Sequence, residues 1–108
     1  MEEVYEIKRF NNKQEAEELL KKSRKCIDEI DNELFALISK RTSFAKDIAL
    51  SKDYLGKPIF DESREKEIHE KIDAYCEKFG LDVDIINQIV DMLTILNKNE
   101  QEKILREE

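Results

Sequence analysis

The 108-residue sequence contains few of the residues that end or bend regular structure, with 2 Gly and 1 Pro in the whole chain. This scarcity disfavours sandwiches, barrels, and collagen-like or linker sequence. Charged residues make up 42% of the chain, a fraction that suits long helices with solvated faces. The sequence therefore predicts an all-α fold.

Cysteines are also scarce. The chain has only two, Cys26 and Cys76, which form no CxxC motif and have no histidine at ligand spacing. This pattern predicts neither a zinc site nor a disulfide framework, so we expect reduced, structural cysteines.

Basic residues are outnumbered, and the formal net charge is -7. This balance argues against a nucleic-acid partner, because affinity for phosphates comes mostly from clustered Lys and Arg. A small anionic ligand would need basic groups gathered inside a pocket. No apolar run is long enough to cross a bilayer, and the acidic start is unlike a secretory signal. We therefore expect no membrane partner and a cytoplasmic location.

Apolar residues recur every three or four positions in the first half of the chain, as on one face of a helix. Asn12 is the expected N-cap, with Glu15 placed as in a capping box, while Gly56 and Pro58 end the helix near Tyr54. About forty residues give a rod of roughly 60 Å, which the rest of so short a chain cannot cover. The face consists of Ile27, Ile30, Leu34, Leu37, Phe44 and Ile48.

Two further helices are predicted after this one. Asp61 is the expected N-cap of the second helix, Gly80 ends it, and Asp82 caps the third. We therefore expect three helices per chain in one domain, residues 12–108, preceded by an N-terminal arm of unknown role, residues 1–11.

Five polar side chains interrupt the apolar faces of these helices: Arg41, Lys52, Glu65, Asn97 and Gln101. A charged group on such a face loses hydration unless a partner or a ligand replaces the lost water. One interpretation is a pocket between helices. Another is an ordinary ion pair of Arg41 and Lys52 with Glu65, with Asn97 and Gln101 as polar residues that set the helix register.

The spacing of the basic residues suggests how they are used. Arg41 and Lys52 are eleven residues apart, close to three turns, so they share a side of the helix at ~16 Å along its axis. Arg24 lies seventeen residues before Arg41, about 25 Å away, which is too far for both to hold one small molecule. If Arg24 serves a site, that site belongs to another subunit. An antiparallel dimer of the long helix would allow this and would cover its apolar face.

This ordered set resembles the all-helical chorismate mutase family, in its small monofunctional form. The match runs from about residue 23 to residue 104 and includes Arg24 to Asp31, Arg41, Lys52, Gly56 to Glu65, and Gln101. The resemblance implies an intertwined homodimer in which each active site draws residues from both subunits. It also implies the conversion of chorismate to prephenate in phenylalanine and tyrosine biosynthesis, an intramolecular Claisen rearrangement without metal, cofactor or covalent intermediate.

The resemblance implies roles for the basic residues. Arg41 of one chain and Arg24 of the other would clamp the substrate carboxylates, for which the guanidinium fork is well suited. Arg64 would be a supporting cation. Lys52 would contact a carboxylate and the ether oxygen, and Gln101 would share that oxygen.

Three more substrate contacts follow from the resemblance. Glu65 would accept a hydrogen bond from the ring hydroxyl, helped by the backbone N–H of Asp61. Asn97 would contact a substrate carboxylate through its amide, although the family often has Ser or another small polar residue there. The residues expected to carry catalysis are Lys52, Gln101, Glu65 and Arg41.

Two other functions remain open on the same residues. One is a lyase of the same fold that releases pyruvate from isochorismate. The other is a non-catalytic, mutase-like regulatory domain. A pathway enzyme as a partner is not readable from the sequence.

Overall fold

The computed structural model describes residues 10–107, and in this range every regular element is an α-helix. The predicted all-α class is therefore confirmed. Most of the predicted arm, residues 1–9, lies outside the described residues. Within residues 10–107, no helix is both long and apolar enough to cross a membrane. The helices are α1 (Lys13–Ser43), α2 (Ala45–Leu55), α3 (Glu62–Phe79) and α4 (Val83–Glu107).

The chain divides into two units, of which the first ends at Ser39 and the second begins at Lys40. The first unit contains most of α1, a helix with no buried residue along its length. In the second unit, α2 and α3 each pack against α4. The buried residues are few and mostly small: Ala45, Ala49, Cys76 and Gln101.

The start of α1 agrees with the predicted cap. The side chain of Asn12 accepts a hydrogen bond from the backbone N–H of Glu15 at 2.9 Å. The Glu15 carboxylate reaches back to the backbone N–H of Asn11 at 3.0 Å, one residue before the predicted N-cap. Because the N–H of Glu15 belongs to the first turn, where a helix leaves N–H groups unpaired, the Asn12 contact fixes where α1 begins.

The other predicted helix ends are confirmed as well. Asp61 caps α3 by accepting from the N–H of Arg64 at 3.1 Å, and Asp82 caps α4 by accepting from that of Ile85 at 3.0 Å. Gly56 and Gly80 end α2 and α3 with positive φ angles of 69° and 67°. Side chains with a Cβ rarely adopt this left-handed conformation, so glycine suits both positions.

The first long helix was predicted as one uninterrupted element, and this is wrong in detail, because it is divided at Phe44. The hydroxyl of Ser43 donates to the Lys40 carbonyl at 2.6 Å, and the N–H of Phe44 bonds to the Arg41 carbonyl at 3.3 Å. A serine side chain thus competes for the carbonyl that the Phe44 N–H would use, and the turn tightens. The Phe44 backbone stays right-handed (φ -74°, ψ -9°), so the three-helix plan persists with one tight turn in its first helix.

A polar contact also joins α3 to α4. The His69 ring places Nδ1 2.8 Å from Asn87 Oδ1 and Nε2 3.1 Å from Asp91 Oδ1. Because Asn87 and Asp91 are four residues apart, they share one face of α4. The contact fixes the register of α3 against α4 where few apolar residues are buried.

We expect Asp82→Ala to lower the free energy of unfolding by about 1 kcal/mol, because the N–H of Ile85 loses its cap. Urea unfolding at one fixed chain concentration measures this. The control is Asp73→Ala, which removes an exposed aspartate from the middle of α3. Equal stability of the two variants would contradict the capping role.

Candidate active site

The second unit contains a pocket of about 390 Å³ that opens among α2, α3, α4 and the end of α1. This volume is in the range of small-molecule sites. Four basic and two acidic side chains line the pocket, although the whole chain has a net charge of -7. Basic groups are therefore gathered where an anion would bind. The lining residues with charged or amide side chains are Arg41, Lys52, Asp61, Arg64, Glu65, Asn97, Lys98 and Gln101.

Lys52 lines this pocket and is held in place by two acceptors. Its Nζ donates to the backbone carbonyl of Ile59 at 2.6 Å and to Gln101 Oε1 at 3.1 Å. The first contact joins α2 to the loop that follows it, and the second joins α2 to α4. A lysine ammonium has three N–H groups, so one remains for a ligand.

Among the described residues, Gln101 is the one polar residue that is buried, with 3% of its surface exposed. Its Nε2 donates to Asn97 Oδ1 at 2.6 Å, while its Oε1 accepts from Lys52. The Asn97 contact orients the amide so that its oxygen faces the ammonium. The amide nitrogen carries a second N–H, which remains for a ligand.

The end of α1 joins the same network through Arg41. Its guanidinium Nη1 donates to the Leu93 carbonyl at 3.1 Å, and its own carbonyl accepts from Asn97 Nδ2 at 3.5 Å. Leu93, Asn97 and Gln101 are spaced four residues apart and so follow one face of α4. One of the five N–H groups of the guanidinium is used here, and the others remain for an anion.

Glu65 is paired with a residue that the sequence reasoning missed. Its Oε2 lies 3.4 Å from Lys98 Nζ, and the two side chains are 28% and 29% exposed. Among residues 10–107, no ion pair joins Glu65 to Arg41 or Lys52. The ordinary ion pair considered from the sequence is therefore not the arrangement found. Lys98 follows directly after Asn97, which interrupts an apolar helix face. This neighbouring position was the one sequence signal that could have indicated Lys98 as a site residue.

Two expected site residues lie at the rim of the pocket. Arg64 lines it, but its Nη1 pairs with Glu67 at 2.6 Å, and both side chains are 55% exposed. Asp61 also lines it, with its carboxylate used as the cap of α3. Within the described range, the Asp61 carboxylate forms no ion pair with Lys52 or Arg41.

Arg24 does not line this pocket. It belongs to the other unit, on the exposed surface of α1. The structure of the single chain thus brings together seven of the eight expected site residues and leaves Arg24 outside.

These contacts determine which groups the pocket offers to a ligand. It offers N–H donors from Arg41, Lys52 and Gln101. Of its two carboxylates, Glu65 is balanced by Lys98 and Asp61 caps α3. Donors held in place before a ligand arrives stabilise developing negative charge without reorganising. The arrangement suits an anion whose charge shifts during a reaction.

Comparison with known proteins agrees with this chemistry. Residues 23–102 match the family described as chorismate mutase type II. The chain is 43% identical over 90 residues to a chorismate mutase from Methanocaldococcus jannaschii, a match that covers 83% of this chain and 91% of that protein.

A solved structure is similar as well. A conserved hypothetical protein from Pyrococcus furiosus aligns with a TM-score of 0.61 and 31% identity. The alignment covers 77% of this chain and 95% of the other.

Proposed function

Because the chain belongs to the chorismate mutase type II family, we propose that the pocket around Lys52 and Gln101 is where it rearranges chorismate to prephenate. The activity is that of an isomerase, as in the relative named chorismate mutase. The observation that carries the site assignment is the part-buried hydrogen bond between Lys52 and Gln101, which leaves one N–H on each for a shared oxygen.

The basic residues bind the two carboxylates of chorismate. Arg41 lines the pocket and keeps N–H donors for a carboxylate, which a guanidinium can bind through two parallel hydrogen bonds. The second clamp is the partner subunit's Arg24. Arg64 supports the charge balance from the rim, and Asn97 contacts a carboxylate through its remaining amide N–H. Holding both carboxylates folds the enolpyruvyl group over the ring, so that the reacting carbons meet.

The rearrangement breaks the bond between the ring and the ether oxygen while a carbon–carbon bond forms between the enolpyruvyl methylene and the ring. No atom is gained or lost and no proton is transferred. Negative charge grows on the ether oxygen as its bond to the ring breaks. Lys52 and Gln101 donate to that oxygen, and preorganised donors of this kind account for large rate effects.

Glu65 binds the ring hydroxyl of chorismate. One carboxylate oxygen is paired with Lys98, so the other can accept the hydroxyl hydrogen. The backbone N–H of Asp61 can donate to the same hydroxyl. These contacts orient the ring, while the arginines orient the side chain.

A homodimer with shared sites belongs to the same proposal. The apolar face of α1 is uncovered in the single chain, with Ile30 61% and Leu37 63% exposed. A second copy would bury this face, and burial of apolar surface is the main drive for association. It would also supply Arg24, the clamp that the pocket of one chain does not include.

The reaction takes place in the domain of residues 12–108 and in the cytoplasm. The thiols of Cys26 and Cys76 are free, and free thiols suit a reducing compartment.

We expect purified protein to consume chorismate and form prephenate, and Lys52→Ala to lower kcat by about 100-fold or more because an ether-oxygen donor is lost. Loss of chorismate absorbance measures the rate. Lys46→Ala, at an exposed lysine of the same helix, should keep full activity. Full activity of Lys52→Ala would contradict the mechanism.

Isochorismate is offered in a separate assay. Release of pyruvate from isochorismate, without formation of prephenate from chorismate, would favour the lyase.

Mixing two inactive variants tests the shared sites. We expect Arg24→Ala and Lys52→Ala to be nearly inactive alone and to recover about a quarter of wild-type activity after unfolding and refolding together, because half of the dimers gain one intact site. If Arg24 served its own chain, every site would keep one defect and no activity would return. A sizing measurement on each sample gives the state of assembly.

The pH dependence tests the role of Gln101. A neutral amide donates at any pH, so we expect the wild-type rate to change little between about pH 6 and 8. Gln101→Glu should be active only in acid, because a carboxyl group donates to the ether oxygen only when protonated. The control is Gln88→Glu, at an exposed glutamine of α4, whose rate should follow the wild-type profile. A wild-type rate that collapses across this range would contradict the contact.

A further inference from the structure

We propose that Lys98 is a positioning residue for this reaction, one that holds the Glu65 carboxylate in place for the ring hydroxyl and away from the carboxylate clamps. The inference rests on the proposed function of the pocket. Lys98 Nζ lies 3.4 Å from Glu65 Oε2. Both side chains are about two-thirds covered by the protein, so water screens this pair less than an exposed one.

A second contact fixes the lysine itself. Its Nζ lies 5.3 Å from the centroid of the Phe60 ring, within the range of a cation–π interaction. Phe60 is in the loop between α2 and α3, Glu65 is in α3, and Lys98 is in α4. The ammonium is therefore held from two sides, and it ties the loop and α3 to the helix that carries Gln101.

The charge balance of the pocket explains why such a residue is needed. A glutamate close to Arg41 and Lys52 would pair with them and compete with the substrate carboxylates for the same donors. In the described part of the chain Glu65 pairs with Lys98 instead, and the ammonium of Lys52 meets only neutral acceptors. Lys98 thus neutralises the one pocket glutamate without using a substrate-binding cation.

The test measures kcat and KM for chorismate in variants at position 98. Lys98→Met keeps an apolar stem against Phe60 and removes the charge. We expect kcat/KM to fall about 10-fold or more, since misplacement of a contact group has effects of this size. Lys98→Arg should restore most of the activity. The control is Lys103→Met, at an exposed lysine of the same helix, which should match the wild type.

A double-mutant comparison distinguishes positioning from a general structural role. If Lys98 acts through Glu65, then Lys98→Met should cost nothing further in a Glu65→Ala background, because coupled residues are not additive. A purely structural role would cause the same loss in both backgrounds. Lys98→Gln replaces Lys98→Met if the latter does not fold, with the same expected results.

Two outcomes would overturn the inference: wild-type kcat/KM in the Lys98→Met variant, or an equal loss in the Glu65→Ala background. Failure of the proposed function would look different. In that case the wild-type chain itself would not turn over chorismate, whereas failure of this inference leaves the wild type active.

Discussion

The hydrogen bonds of the Gln101 side chain hold the pocket together. The amide is buried and lies between Lys52 of α2 and Asn97 of its own helix. A buried amide without hydrogen-bond partners would destabilise the fold. Gln101 is therefore stable in this position only when both Lys52 and Asn97 are present. Asn97 in turn contacts the backbone of Arg41. One buried amide therefore links the three segments that carry Lys52, Arg41 and Asn97.

Small side chains allow this set to form. Ala45 and Ala49 are fully buried in α2, and α2 packs against α4. Lys52 follows Ala49 by three residues, so it lies on the same face of the helix. Alanine lets two helices approach closely, and a close approach is what brings the Lys52 ammonium within hydrogen-bond distance of Gln101. Larger residues at positions 45 and 49 would widen the spacing between the helices and separate the pair.

Local features were predictable from the sequence, and long-range contacts were not. The caps at Asp61 and Asp82 were read correctly, because a capping side chain bonds a backbone N–H only three residues away. The break at Phe44 was missed, since it depends on the rotamer of Ser43, which does not follow from residue type. Lys98 was missed for a different reason. A lysine at the edge of an interrupted face resembles a solvated one until its partner, 33 residues earlier, is known.

The contact between Lys52 and the Ile59 carbonyl bears on how the protein can vary over evolution. The acceptor is a backbone oxygen, so the side chain at position 59 can change freely without loss of that contact. The length of the segment between Leu55 and Glu62, by contrast, cannot change without moving that carbonyl. An inserted residue would move the carbonyl by up to ~3.5 Å. Surface loops usually tolerate insertions well, but in relatives that keep this lysine contact we expect the side chain at position 59 to vary and the length of the α2–α3 loop hardly to change.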